Sequence, residues 1–298
     1  MARVLVTGAS GYLGCALIPR LVREHEVSAI GRREPAASFG AEVEYLTADL
    51  TRHDEARARL GPWRWDAVVN MAGPVVRSAL DWNGQRAVLF AHVRIALSLR
   101  SLVPEEWSGR FLHISSMMVY GLPAAVPLRE DHPRRPVNAY GVGKVLAEDV
   151  LATSHLEDVW FLRLPGLFSA ERRAGALYHF MRAARTGEPI HITSSEPTAW
   201  DVLHVADAAE AIVRSLRASE SNPGPVNVSY GEPVELVAIA QRFRELAGGA
   251  VEVIDTTGVS HPVFQMDVSR ARRLLDGWPP ATLQERLAEL WEGATPSP

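Results

Sequence analysis

Short runs dominated by apolar residues recur through the first half of the chain. Arg3-Val4-Leu5-Val6-Thr7, Val27-Ser28-Ala29-Ile30, Val43-Glu44-Tyr45-Leu46, Ala67-Val68-Val69-Asn70, Phe111-Leu112-His113-Ile114 and Val159-Trp160-Phe161-Leu162 read as strands. The first shows no polar alternation between its ends, the pattern of a parallel strand buried on both faces. Helical spacing fills the intervals near 12–23, 52–60, 84–102 and 138–154. Strand and helix in alternation predict an α/β fold, a doubly wound parallel sheet with ligands beyond the carboxyl ends of its strands.

After Arg163 the pattern becomes mixed. Helical spacing near 174–186, 204–218, 234–247, 269–276 and 282–292 surrounds one strand, Val226-Asn227-Val228. The break predicts a larger domain over 1–165, to which 201–229 returns, and a smaller mixed C-terminal lobe from 166–200 and 230–298. Glu34 to Gly40 and Leu122 to Pro136 read as loops, and Ala294 to Pro298 as a frayed tail.

The first strand runs directly into Gly8-Ala9-Ser10-Gly11-Tyr12-Leu13-Gly14, and a helical pattern begins at Cys15-Ala16-Leu17-Ile18. Each glycine has a mechanical reason. The first permits a sharp turn, the second lets backbone N–H groups approach a pyrophosphate, and the third lets helix pack closely on strand. Exposed N–H groups and the positive end of the helix then hold phosphate. This junction predicts a dinucleotide-binding turn.

Composition narrows the class. At 298 residues with 47% hydrophobic and 22% charged residues, the chain is an ordinary globular one. A formal charge of −4 offers no footprint for nucleic acid or an anionic membrane. No apolar run reaches membrane-spanning length, and the chain opens on a strand rather than a leader, so a cytoplasmic protein is expected. The single cysteine, Cys15, excludes an internal disulfide and any Cys cluster for zinc, and no metal is expected.

The end of the second strand indicates which dinucleotide. An NAD site usually places Asp or Glu there to accept from the ribose 2′-hydroxyl. Here Ala29-Ile30 runs into Gly31-Arg32-Arg33, with no acid and two guanidinium groups. Their planar forks suit a 2′-phosphate, so NADPH is expected. Asp49-Leu50 follows the third strand, where Asp49 either meets the adenine amino group or caps the next helix. Asn70-Met71-Ala72-Gly73 ends the fourth strand with small residues suited to close approach.

Ser115-Ser116-Met117-Met118-Val119-Tyr120-Gly121 leaves the fifth strand, and Tyr140-Gly141-Val142-Gly143-Lys144 opens a helix. Tyr140 and Lys144 are four apart and share a helix face. Reduction of a carbonyl needs a donor that protonates its oxygen. A free tyrosine, pKa about 10, is sluggish near neutrality. A neighbouring ammonium favours the phenolate, and Ser116 supplies a second hydrogen bond to the carbonyl oxygen. Tyr140, Lys144 and Ser116 are therefore the candidate catalytic residues.

Taken together, these segments resemble the extended short-chain dehydrogenase/reductases, the NAD-dependent epimerase/dehydratase-like group of Rossmann-like enzymes. The resemblance extends to Arg163, to Asp201-Val202-Leu203-His204-Val205-Ala206-Asp207, to Asn227-Val228-Ser229-Tyr230-Gly231-Glu232-Pro233-Val234 and to Leu274-Leu275-Asp276-Gly277-Trp278-Pro279-Pro280. It implies Ser116 rather than Ser115 as the catalytic hydroxyl. It also implies that Lys144 contacts the nicotinamide ribose while tuning Tyr140, and that the protein is a homodimer through the Tyr140 and 84–102 helices. The cofactor set it implies is Gly8, Ser10, Gly11, Tyr12, Leu13, Gly14, Arg32, Arg33, Asp49, Leu50, Met71, Ala72, Gly73, Tyr140, Lys144, Leu164 and Pro165.

Departures from the family pattern bear on the substrate. Met117 and Met118 stand where the group's dehydratases carry Asp and Glu, and a thioether is neither acid nor base, so dehydration is not expected. Gly166, Trp200 and the 259–264 segment lack the usual Asn and two arginines that hold a sugar nucleotide's diphosphate. Arg172, Arg173 and His261 are the candidate replacements; otherwise Met117, Met118, Trp200 and Phe264 line a more apolar pocket, with Ser116 and Gly166 beside it. His92 stands where the group often has Asn; it, His113 and His204 read as structural. The expected activity is NADPH-dependent reduction of a small-molecule ketone. A 4-keto-6-deoxy sugar nucleotide leads, a polyketide-like ketone is the alternative, and epimerisation or cofactor sensing without chemistry follow.

Overall fold

A computed structural model describes residues 1–35, 39–75, 81–192, 199–255 and 263–293. His261, the rest of 259–262, the centre of the 34–40 loop and the 294–298 tail lie outside the described residues.

The first half alternates as its apolar runs predict. β1 (Arg3–Thr7), α1 (Tyr12–Leu21), β2 (Glu26–Gly31), β3 (Glu44–Thr47), α2 (His53–Leu60), β4 (Ala67–Asn70) and α3 (Trp82–Leu102) come first. β5 (Arg110–Ser116), α4 (Ala139–Ala152) and β6 (Asp158–Leu164) follow. Then come β7 (Gly166–Phe168), α5 (Ala176–Thr186), β8 (Ile190–Ile192), β9 (Ala199–Trp200), β10 (Val202–His204), α6 (Val205–Arg217) and β11 (Gly224–Asn227). The chain closes with β12 (Val234–Glu235), α7 (Leu236–Leu246), β13 (Val253–Asp255), β14 (Val263–Phe264), α8 (Ser269–Leu274) and α9 (Leu283–Gly293).

Seven strands form one parallel sheet in the order β11-β6-β5-β4-β1-β2-β3. Both its faces are buried, which is why its strands carry so few polar positions. Val4, Val6, Val69, Leu112 and Leu162 enter the core cluster that includes residues of α1 and α6, whereas Leu5, Val68, Phe111 and Phe161 enter the one that includes residues of α2, α3 and α4. Burying a leucine as fully as Leu5 contributes about 2 kcal/mol.

Strand order reverses between β1 and β4, where Thr7 pairs with Asn70 in register. A crevice beyond the carboxyl ends of strands opens at such a reversal. The Thr7 hydroxyl donates to Asn70 Oδ1 at 2.7 Å and accepts the Ala72 N–H at 3.2 Å, which fixes both crevice walls.

Around this sheet lie three small ones: β7 with β10, β9 between β12 and β14, and β8 with β13. Their two- and three-residue strands have no signal in the sequence pattern, because each is set by a partner distant in the chain. Among the described residues no helix is long and apolar enough to cross a membrane, and no group of three or more His, Cys, Asp or Glu residues is placed to hold a metal ion.

Candidate active site

The glycine turn is built around β1. Gly8 has φ +70°, and a Cβ there would lie 2.9 Å from the Met71 and Ala72 backbone. At Gly14 a Cβ would meet the Ala9 carbonyl at 2.1 Å, so α1 is able to press against the turn only without a side chain there. Gly11 caps α1 with no side-chain bond, and the first turn carries no acid. The helix therefore presents uncapped N–H groups and its positive end at the crevice, a fit for pyrophosphate. Tyr12 leans from this turn toward the loop after β7: its hydroxyl donates to Ser169 Oγ at 2.7 Å, and Arg172 lies over its ring at 5.6 Å.

At the end of β2 the two arginines diverge. Arg33 donates to the Ser10 carbonyl at 2.9 Å, and its own carbonyl accepts from the Tyr45 hydroxyl at 2.7 Å. Arg32 turns instead toward Thr51 and α3. A Cβ on Gly31 would lie 2.4 Å from the Tyr45 hydroxyl and 2.9 Å from Ser10 Oγ, so a side chain there requires both to shift. Asp49 Oδ1 accepts from the Thr51 N–H at 2.9 Å and hydroxyl at 2.8 Å, closing a local turn before α2. Leu50, next in the chain, is buried in the core.

The candidate catalytic groups meet where β5 ends and α4 begins. Asn138 caps α4 by accepting from the Gly141 N–H at 2.8 Å, which sets Tyr140 in the first turn. Ser116 Oγ accepts the Met118 N–H at 3.2 Å, capping a single 3-10 turn, and lies near enough to Tyr140 to pull its phenol down. Lys144, buried, donates to the Ile114 carbonyl at 2.7 Å, with Nζ 5.8 Å from the Tyr140 ring centroid. Met71, Ala72, Gly73, Leu164 and Pro165 stand at the neighbouring strand ends.

One expectation is corrected. Burial pushes the Tyr140 phenol up rather than down, and the groups that offset this are Ser116 and the positive charge of Arg172. Lys144 lies beside the face of the ring and is itself drawn down to about 8 by burial, against the pull of Glu148.

The histidines pack around this pair. His92 stands edge-on to Tyr140, donates from Nε2 to the Pro74 carbonyl at 3.0 Å, and burial draws it down to about 3. His113 Nδ1 accepts from Asn70 Nδ2 at 3.0 Å, and burial holds it well below the usual imidazole range. His204 caps α6 through its Nδ1, which accepts the Ala206 N–H at 3.3 Å.

Ser115 and Ser116 point to different partners. The Ser115 hydroxyl donates to Glu148 Oε1 at 2.5 Å, away from Tyr140. Glu148 also takes Arg163 Nε at 3.0 Å and its terminal nitrogen at 2.7 Å. Arg163 continues to the Tyr120 hydroxyl at 2.9 Å, which donates to Asn227 Oδ1 at 2.6 Å. This buried network locks the Ser116 segment onto α4, β6 and β11. Glu148 was missed in the sequence, although its spacing (four beyond Lys144) puts it on the same helix face.

Of the candidate substrate residues, Met117, Trp200 and Phe264 come together against Val119, Tyr120 and Leu128. Trp200 and Phe264 are register partners in β9 and β14. Met118 is partly buried and lies outside that cluster. Gly166 is exposed and faces open space, with no atom within 4 Å of where a Cβ would stand. Among the candidate diphosphate replacements, Arg172 donates to the Leu167 carbonyl and Arg173 is exposed.

Known proteins are similar to this chain in sequence and in fold. The sequence model described as the NAD dependent epimerase/dehydratase family matches residues 4–229. The chain is 29% identical, over 100% of its length and 97% of the relative's, to a dTDP-6-deoxy-L-talose 4-dehydrogenase (NAD(P)(+)) of Kitasatospora kifunensis. It is 28% identical to a probable dTDP-4,6-dihydroxy-2-methyloxan-3-one 4-ketoreductase of Streptomyces antibioticus, covering 77% of this chain and 81% of that one. In fold it is similar to the UDP-glucuronic acid 4-epimerase of Bacillus cereus in complex with NAD, with a TM-score of 0.79, 18% identity and 98% coverage of both chains.

Proposed function

The chain belongs to the NAD dependent epimerase/dehydratase family, and on that footing we propose that it is an NADPH-dependent ketoreductase acting on a 4-keto-6-deoxy sugar nucleotide. The observation that carries the reading is the meeting of Ser116, Tyr140 and Lys144 where β5 ends and α4 begins, in the sheet whose β1 runs into the glycine turn, with arginines where an NAD site has an acid. Bound there, a reduced nicotinamide supplies the hydride for the ketone carbon.

Gly8, Ser10, Gly11, Tyr12, Leu13 and Gly14 hold the pyrophosphate in this reading. Arg32 and Arg33 hold the 2′-phosphate, Asp49 and Leu50 the adenine, and Met71, Ala72, Gly73, Leu164 and Pro165 line the remaining contact. Residues 1–165 with 201–229 form the cofactor half, and 166–200 with 230–298 the substrate lobe. Ser116 orients the carbonyl oxygen, and Tyr140 gives it a proton. A phenol kept protonated by burial suits an acid rather than a base. Lys144 binds the nicotinamide ribose and holds positive charge beside the developing phenolate.

Both dTDP-sugar relatives support this substrate class. The apolar contact of Met117, Trp200 and Phe264 suits the methyl group of a 6-deoxy sugar. The same wall, with open space at Gly166, favours a second reading: reduction of a polyketide-like ketone without a nucleotide. A homodimer through α3 and α4 accords with exposed Leu97 and Leu146 on those helices.

Loss of NADPH absorbance across a panel of nucleotide ketosugars and aromatic polyketones, with NADH alongside, tests the proposal. NADPH consumption with a 4-keto-6-deoxy nucleotide sugar is expected. Tightly co-purifying NAD with interconversion of sugar epimers and no NADPH consumption would replace it with an epimerase.

A further inference from the structure

A groove of about 330 Å³ opens beside the end of β2, lined by Arg32, Thr51, Arg86, Phe90 and Arg94 among others. Three arginines line it, and among the described residues no carboxylate does. Arg86 and Arg94 are exposed on α3 and make no hydrogen bond or ion pair among the described residues; Arg32 has Asp49 within electrostatic reach. Elsewhere arginines beside this sheet are paired, as Arg3 is with Asp66, Arg64 with Glu44 and Arg110 with Asp158.

The groove lies at a meaningful place. Arg32 follows the last residue of β2, and Thr51 follows the end of β3, so the groove borders the position beyond β2 where a dinucleotide's adenosine ribose sits. Arg33 engages one terminal nitrogen with the Ser10 carbonyl. A phosphate monoester carries a charge of about −2, and more planar forks than the strand end supplies bind it better through charge-assisted bonds.

We propose that Arg86 and Arg94 of α3 complete, with Arg32, the binding site for the 2′-phosphate, so that NADPH is selected by a helix as well as by the strand end. The inference rests on the NADPH reading above and adds residues that no strand-end motif contains. Arg86 and Arg94 stand roughly 12 Å apart along the helix, so one of them makes the nearer contact and the other draws the phosphate in by charge.

The test is the ratio of NADPH to NADH dissociation constants, measured by titration calorimetry on the full-length wild type, Arg86→Ala, Arg94→Ala and the double variant. Competition by 2′-AMP against 5′-AMP reads the same phosphate without the nicotinamide. The expected result is a wild-type preference for NADPH that falls at least tenfold in the double variant, with 2′-AMP losing its advantage in parallel. A wild-type preference that survives the double substitution within twofold overturns the helix contribution and leaves the NADPH reading standing. Equal loss of affinity for NADPH and NADH also overturns it. No wild-type preference overturns the NADPH reading itself. Both side chains are exposed, so a melting temperature unchanged from wild type accompanies an interpretable result.

Discussion

The imidazole of His92 stands edge-on to the ring of Tyr140, with centroids 5.3 Å apart and planes at 75°. Gly73 makes this possible: a Cβ there, at φ +147°, would lie 2.3 Å from His92 Cε1. The turn after β4 and the start of α4 therefore meet through one neutral histidine. His92→Ala is expected to lower kcat about 10- to 100-fold through misplacement of Tyr140, with KM for the ketone little changed. His92→Gln, which keeps a donor for the Pro74 carbonyl, is expected to retain more. Steady-state kinetics on both variants check this.

The same histidine sets a stability limb. Its folded pKa, about 3, is depressed below the unfolded value, so its contribution is complete above about 6.5 and is lost as pH falls from there toward 3. Denaturant unfolding of wild type should weaken over that window, and His92→Gln should flatten the slope.

Ser115 and Ser116 are adjacent yet separable. Ser116→Ala is expected to cut kcat about 100-fold with the melting temperature held, because it removes the hydroxyl proposed to orient the carbonyl oxygen beside Tyr140. Ser115→Ala is expected to cost about 1–3 kcal/mol of stability with kcat within a few fold, because its bond goes to buried Glu148. Paired kinetics and thermal melts distinguish the two.

Lys144 titrates where the reaction runs. Burial draws it to about 8, so its positive charge is lost as pH rises past that value. Reduction should slow above about pH 8, and Lys144→Arg should remove that limb if it turns over, since arginine stays charged. A pH–kcat/KM profile of both proteins checks the direction.

Asp201 provides a test of the small sheets. Its Oδ2 accepts from the Met266 N–H at 2.6 Å and the Ser229 hydroxyl at 3.0 Å, and burial pushes the carboxyl up to about 6. A raised folded pKa means its contribution is present below about 3.9 and lost as pH rises through about 6. The stability of Asp201→Asn relative to wild type should therefore improve by on the order of 2–3 kcal/mol between pH 4 and 7. A difference independent of pH would show that Asp201 does not titrate in the fold.

Much of this architecture was legible because the sheet is buried on both faces: Val4-Leu5-Val6 feeds two cores and leaves no polar alternation to misread. The glycine turn and the Tyr140–Lys144 spacing were legible because both are local. What stayed hidden depends on contacts far apart in the chain. Trp200 opposite Phe264, Arg163 on Glu148 and Arg172 over Tyr12 each join residues that no spacing rule connects. The direction of the Tyr140 shift was hidden for the same reason, since burial outweighs a neighbouring charge only once the packing is known.

The most direct measurement is single-turnover oxidation of bound NADPH by a 4-keto-6-deoxy nucleotide sugar in wild type and Tyr140→Phe. The expected result is a rate at least 100-fold slower in the variant, with NADPH affinity within threefold of wild type. A variant rate within a few fold of wild type would contradict the role of Tyr140 as the acid, and with it the proposed reaction.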